Sequence, residues 1–228
     1  MASLFMVLTG LVFLLSWIGN IYAWEGVRSL MRVEGLRWFL RSVQGNFVTC
    51  PVLTPVSILF FGIGPWIHSG LGHAWYAWCC RKPSLSRKDK YALLLSMVVG
   101  VVYVLVGAIL VFGPWNIAKS SLGSWYSSPI SIGIWFVVSF GIGLMGVAYG
   151  FLSDKYRTDT DMIAGLAYCY RWKASYFITL FLIAQCFNAL HYTGLYQFLG
   201  LTETTLNCIY VVVSLLPLGE GNRYSVSG

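Results

Sequence analysis

The sequence predicts an all-α fold, a polytopic integral membrane helix bundle of about five to six transmembrane spans with one further amphipathic helix lying in the interface. Three observations predict it. Only 10% of the 228 residues are charged, where a soluble globular chain holds about a quarter. Mean hydropathy is +0.71. Apolar runs close to the roughly 20 residues a bilayer requires alternate with short loops that carry the basic side chains. The formal net charge of +7 therefore sets orientation in a membrane and does not argue for nucleic acid as a partner. Residues 1–218 read as a single transmembrane domain, with spans near 3–24, 48–78, 91–112, 129–152, 174–199 and 206–218, followed by a polar tail over 219–228.

Ser3 to Trp24 is the first span, ending in an interfacial Tyr22/Trp24 belt. No small-residue cleavage site follows it, so it is expected to be retained. From Glu25 to Phe47, Leu30, Val33, Leu36, Phe39, Leu40 and Val43 recur at helical spacing while Arg28, Arg32, Arg37 and Arg41 take the other side. That pattern predicts an amphipathic helix in the interface. Val48 to Trp78 is apolar but punctuated by prolines and glycines. Gly62, Gly64, Pro65, Ser69 and Gly70 predict a broken helix, interrupted near Gly64-Pro65, because proline removes a donor and kinks a helix. His68 and His73 follow as hydrogen-bonded structural residues, and Trp66, Trp75, Tyr76 and Trp78 form an aromatic belt.

Cys80 to Lys90 holds Arg81, Lys82, Arg87, Lys88 and Lys90 against one acid, Asp89, which places it on the cytoplasmic side. Tyr91 to Phe112 is a third clean span. Gly113 to Ser128, with only Lys119, suits the outer face, and Pro129 to Leu152 is a fourth span whose glycines permit close helix approach. Ser153 to Lys173 is of mixed charge and cytoplasmic. Asp159 and Asp161 begin a short helix there, since carboxylates suit a helix N-terminus. Leu206 to Leu218, closed by Pro217, is a thin sixth span or a re-entrant piece.

The fifth span, Ala174 to Leu199, organises the rest. It is apolar enough to cross a bilayer yet carries Gln185, Asn188, His191 and Thr193. Polar groups are costly in hydrocarbon, so their face must look into protein or a water-filled space. Two readings stand side by side: hydrogen-bonded glue between packed helices, or the lining of a substrate route.

No soluble-enzyme signature such as GxxxxGK, GxSxG or HExxH is present, and three dispersed histidines with few acids make neither a catalytic nor a metal cluster. No catalytic residue, metal or cofactor is expected. The six cysteines show no CxxC or zinc spacing.

Several stretches, in order along the chain, resemble the p-aminobenzoyl-glutamate transporter (AbgT) family. Val27 to Phe47, VRSLMRVEGLRWFLRSVQGNF, is similar to that family's VRSLL…GIRW…NF segment. Gly62 to Leu71, GIGPWIHSGL, resembles its GxGxxExSGL, with Ile67 at the Glu position. Leu85 to Tyr91 resembles its LTPEEKRGL, and Ser128-Pro129 with Gly146 to Gly150 resembles its SP…G-x-AYG helix. Asp159 to Met162 resembles its SDxDV turn. Ala184-Gln185 and Thr193 fall at its AAQF…FxxSNLG, with Thr193 at the Ser and Gly194 at the Asn. The family's two re-entrant hairpins have no counterpart between Leu71 and Arg81 or after Leu199.

The resemblance implies a secondary transporter of a bacterial inner (plasma) membrane, driven by the proton-motive force, moving p-aminobenzoyl-glutamate or related folate-pathway compounds, with sulfonamide efflux as a variant. It also implies a homodimer, or a heteromer with a partner supplying the core. Gln185, Asn188, His191 and Thr193 then line the route. The alternative is a transport-incompetent membrane scaffold or subunit retaining only the scaffold helices. Membrane lipids are partners in either case.

Overall fold

The computed structural model describes residues 1–80, 86–112 and 129–219, with the backbone alone for 129–132. The basic loop over 81–85, the 113–128 loop and the tail from 220 lie outside the described residues. Among the described residues the chain forms eleven helices and no strand: α1 (Ala2–Ile21), α2 (Val33–Val48), α3 (Leu53–His68), α4 (Leu71–Cys79), α5 (Arg87–Phe112), α6 (Pro129–Leu152), α7 (Asp159–Leu166), α8 (Tyr168–Trp172), α9 (Ala174–Thr193), α10 (Leu195–Phe198) and α11 (Glu203–Gly219). Five stretches are long and apolar enough to cross a membrane, within Ala2–Ile21, Val33–His68, Arg87–Phe112, Gly133–Leu152 and Ala174–Thr193. The protein is an all-α membrane protein. Where hydropathy marks one domain, contacts sort the chain into two compact units: Met1–Thr54 with Lys173–Gly228, and Pro55–Trp172.

The first unit is built on α9, which packs against α1, α2, α10 and α11. An apolar surface all round is what a surrounded helix needs, and α9 buries ten side chains, among them Tyr176, Leu180, Ile183, Ala184 and Ala189. Helix α1 buries only Phe5, Val12, Ser16 and Gly19, one stripe at spacings of seven, four and three. In hydrocarbon such stripes hold by close packing and hydrogen bonds rather than by expulsion of water. Val12, Leu30, Ala189 and Leu195 form the centre of the contact. Leu30 is anchored there because its backbone N–H donates to Ser16 Oγ at 3.1 Å. Stacking of Trp38 on Tyr192 at 4.0 Å and of Trp24 on Phe198 at 4.3 Å closes one end. The chain leaves α9 through Gly194, at φ 72°, and leads into α10.

In the second unit α5 and α6 pack along one another, with Tyr103 Oη donating to Val137 O at 2.8 Å. Helix α3 lies against α6 so closely that a Cβ on Gly146 would sit 2.6 Å from the Trp66 backbone nitrogen. Ser139 Oγ donates to the Ile58 carbonyl across the same contact. The interruption expected at Gly64-Pro65 falls elsewhere. Helix α3 runs through Gly62, Gly64 and Pro65, with Ser69 N–H still donating to Pro65 O at 3.0 Å. It ends at Ser69-Gly70, where Gly70 takes φ 77° before α4 begins. A positive φ stops a helix, whereas a proline removes one hydrogen bond and can be carried where packing is tight. Pro217 behaves the same way: α11 continues through it to Gly219.

The polar segment after α6 is ordered by its own side chains. Thr158 accepts from the Asp161 backbone N–H at 3.4 Å, and Asp161 Oδ2 accepts from the backbone N–H groups of Arg157 and Thr158 at 3.0 and 3.1 Å, a capping box that begins α7 where the two aspartates predict it. Those hydrogen bonds, with the one from Arg157 N–H foremost, hold the Asp161 carboxyl below its usual range. Tyr156 is buried beside His68 (Oη to Nδ1 3.3 Å), and burial pushes its phenol up to about 12. Lys88 pairs with Asp154 on the exposed surface.

Candidate functional site

The spacing of Gln185, Asn188 and His191 decides where each one points. Three residues advance a helix by 300°, so each next side chain falls back by about 60°. The three therefore fan across α9 rather than share one line, and they meet different neighbours.

Gln185 meets α2. Its Nε2 donates to Val43 O at 2.8 Å and its Oε1 accepts from Asn46 Nδ2 at 3.1 Å. Both side chains are buried. Thr193 turns back into its own helix, its hydroxyl shared between the carbonyls of Ala189 and Leu190 at 2.9 and 3.1 Å. These two of the four sequence-marked residues have their polar atoms engaged inside the fold.

Asn188 and His191 face α11. Together with Thr49, Asn207 and Tyr210 they line a pocket of about 450 Å³. Its apolar wall is the Phe187–Tyr210 stack, with ring centroids 4.9 Å apart and planes 17° from parallel. Asn188 Nδ2 donates to Ala184 O at 2.9 Å, which fixes the amide within the helix groove. His191 is exposed at the rim. Its ring lies parallel to Tyr196 at 5.6 Å, and its Nε2 is 3.3 Å from Glu203 Oε1.

Tyr210 is the unusual member. It is 8% exposed, and its hydroxyl faces the side chains of Asn188 and Cys50. Yet among the described residues nothing meets it at hydrogen-bonding geometry. Ser214 Oγ, one turn further along α11, is also buried without a partner among the described residues. A buried hydroxyl left unpaired costs about 1–3 kcal/mol, so each retains an unmet capacity to bond. The pocket thus offers amide and imidazole groups beside an aromatic wall. A small solute bearing a carboxylate, sulfonyl or amide matches those donors and acceptors.

The sequence reading marked Asn188 and His191 but not Thr49, Asn207 or Tyr210. The missed signal lies in α11: Asn207, Tyr210 and Ser214 fall three and four residues apart, a polar stripe on a helix that is apolar beyond its Glu203-Thr204-Thr205 start. Gly62, Gly64, Pro65, Ser69 and Gly70 belong to the second unit, the first three inside α3 and the last two at its end.

No family model matches the chain, and neither a curated protein nor a solved structure matches it significantly.

Proposed function

We propose that the chain is a membrane transport protein of the p-aminobenzoyl-glutamate transporter type, taking a small solute into the α9–α11 pocket in a bacterial inner membrane. The observation that carries the reading is the convergence of Asn188, His191, Asn207 and Tyr210 on one pocket in a chain only 10% charged. Polar and ionisable groups within membrane helices are a functional-site hypothesis by default. Resemblance supplies the first solute to test, p-aminobenzoyl-glutamate, with a sulfonamide second. An imidazole can take up and release a proton, and His191 brings one to the pocket as the carrier for a route driven by the proton-motive force. The association expected with it is a homodimer or a heteromer.

A second reading, a scaffold or subunit without transport, draws on Gln185 and Thr193, whose polar atoms are engaged in bonds within the first unit. The two readings separate on purified full-length protein. Under the transport reading, p-aminobenzoyl-glutamate raises the unfolding temperature with an increment that grows as RT ln(1 + [L]/Kd), and vesicles holding the protein accumulate it when a pH gradient is imposed. No increment at millimolar solute, with the chain alone or with its partner, leaves the scaffold.

A further inference from the structure

Viewed down its axis, α2 presents three sectors. Gly35, Ser42 and Asn46 turn inward. Directly opposite, Arg37 and Arg41 stand exposed, with Gln44 beside them. About 90° round from the arginines, Val33, Leu36 and Leu40 form a row that is 64%, 45% and 76% exposed. A helix on a water-facing surface has no use for that third sector. Helix α2 runs antiparallel along the spanning helix α9, from Trp38 on Tyr192 to Phe47 on Phe181, so the apolar row lies along acyl chains while Arg37, level with the end of α9, stands at the head groups and Arg41, one turn deeper, reaches up to them.

Arg37 and Arg41 are one turn apart, so their Cβ atoms lie about 5–6 Å from each other, close enough for both guanidinium forks to reach one phosphodiester. Among the described residues neither makes a hydrogen bond or an ion pair. Glu34, one turn before Arg37, is the row's one carboxylate and forms no ion pair there either. A guanidinium fork matches the geometry of a phosphate, which an ammonium does not.

We infer that α2 is a binding site for anionic phospholipid, with Arg37 and Arg41 holding the phosphodiester and Val33, Leu36 and Leu40 lying along its acyl chains. The site is independent of the solute pocket, and the transport reading can fail without touching it. Its ligand is a bilayer lipid rather than free phosphate, because the apolar row has nothing to contact on an inorganic ion.

The test uses the full-length protein in zwitterionic detergent, titrated with phosphatidylglycerol, phosphatidylcholine or inorganic phosphate while the unfolding temperature is followed. Phosphatidylglycerol is expected to raise it most, and high salt to cut the increment. Each arginine near an anionic surface is worth about fivefold in affinity, so Arg37→Gln with Arg41→Gln should raise the phosphatidylglycerol concentration for half-maximal effect roughly 30-fold. The phosphatidylcholine response should not move. An equal response to both lipids, an equal response to inorganic phosphate, or an increment that survives the double substitution overturns the inference. Should the double variant fail to fold, a photoactivatable phosphatidylglycerol on the wild-type protein decides. Its adducts are expected on peptides within Val33–Val48, and adducts concentrated on Arg87–Lys90 instead overturn it.

Discussion

Asn46 Nδ2 donates to Gln185 Oε1 at 3.1 Å across 139 positions of sequence, from one buried side chain to another. With Gln185 Nε2 on Val43 O, this amide bridge fixes how α2 seats on α9. Interhelical hydrogen bonds in membranes average about 0.6 kcal/mol, but breaking one side of a buried pair strands the other. Gln185→Leu should therefore cost about 1–3 kcal/mol in unfolding free energy. Gln185→Leu with Asn46→Leu should cost less than the sum of the singles. Denaturant titration of the four proteins in one detergent checks both statements. A strictly additive result means the bridge does not form.

Tyr210→Phe removes a hydroxyl that has no partner among the described residues and leaves the ring stacked on Phe187. Unfolding temperature should hold or rise, because a buried unpaired hydroxyl costs about 1–3 kcal/mol. A fall in stability without solute would show that the hydroxyl is bonded within the fold.

The carboxyl of Asp161 is held low, chiefly by the backbone N–H of Arg157 and then by Thr158. A depressed carboxylate adds stability that is fully present above its unfolded value, near 3.8, and is lost as pH falls through the lower folded value. Asp161→Asn should thus loosen the start of α7 at neutral pH and match the wild type in strong acid. Hydrogen exchange of the amides of Arg157 and Thr158 across that range reads the difference. Protection unchanged by the substitution at pH 7 would remove the capping role.

Gly194 sits at φ 72°, and a Cβ there would lie 2.5 Å from the Gly26 carbonyl oxygen. Gly194→Ala should cost about 1–2 kcal/mol for the left-handed backbone alone, with more for displacing the 24–30 segment from α9. Asn tolerates such a φ better, but it carries the same Cβ, so Gly194→Asn should also destabilise. The close approach of Gly26 gives a physical reason for the glycine found here. Thermal unfolding of both variants checks the ranking, with Ala and Asn both below wild type.

Much of the fold is legible because hydrocarbon imposes length and composition on whatever crosses it. The cores of α1, α5, α6 and α9 follow directly from runs of about 20 apolar residues, and the start of α7 follows from Asp159 and Asp161, while its Thr158 cap shows only in the fold. Helix ends are less legible. Pro65 and Pro217 read as stops but lie inside helices, while the real break at Gly70 depends on a dihedral angle that composition does not encode. The site divides in the same way. Asn188 and His191 stand out because polar groups are rare on an apolar helix. Tyr210 reads as one more aromatic, and its role depends on which face α11 turns toward α9, a tertiary fact. Gln185 shows the converse, since its rarity is visible while its engagement with Asn46 is not.

The first unit is discontinuous: its α1 and α2 precede the whole of Pro55–Trp172, and its central α9 follows it. At ribosomal speeds of about 5–20 residues per second, that intervening stretch takes on the order of ten seconds to synthesise. For that interval Ser16, Asn46 and the buried stripe of α1 are in or near the bilayer with no α9 to receive them. The Pro55–Trp172 stretch is contiguous and can close as it emerges. The nascent chain therefore passes through a stage in which its N-terminal helices need shielding by the insertion machinery or by a chaperone, and a pause between codons 55 and 172 lengthens that exposure.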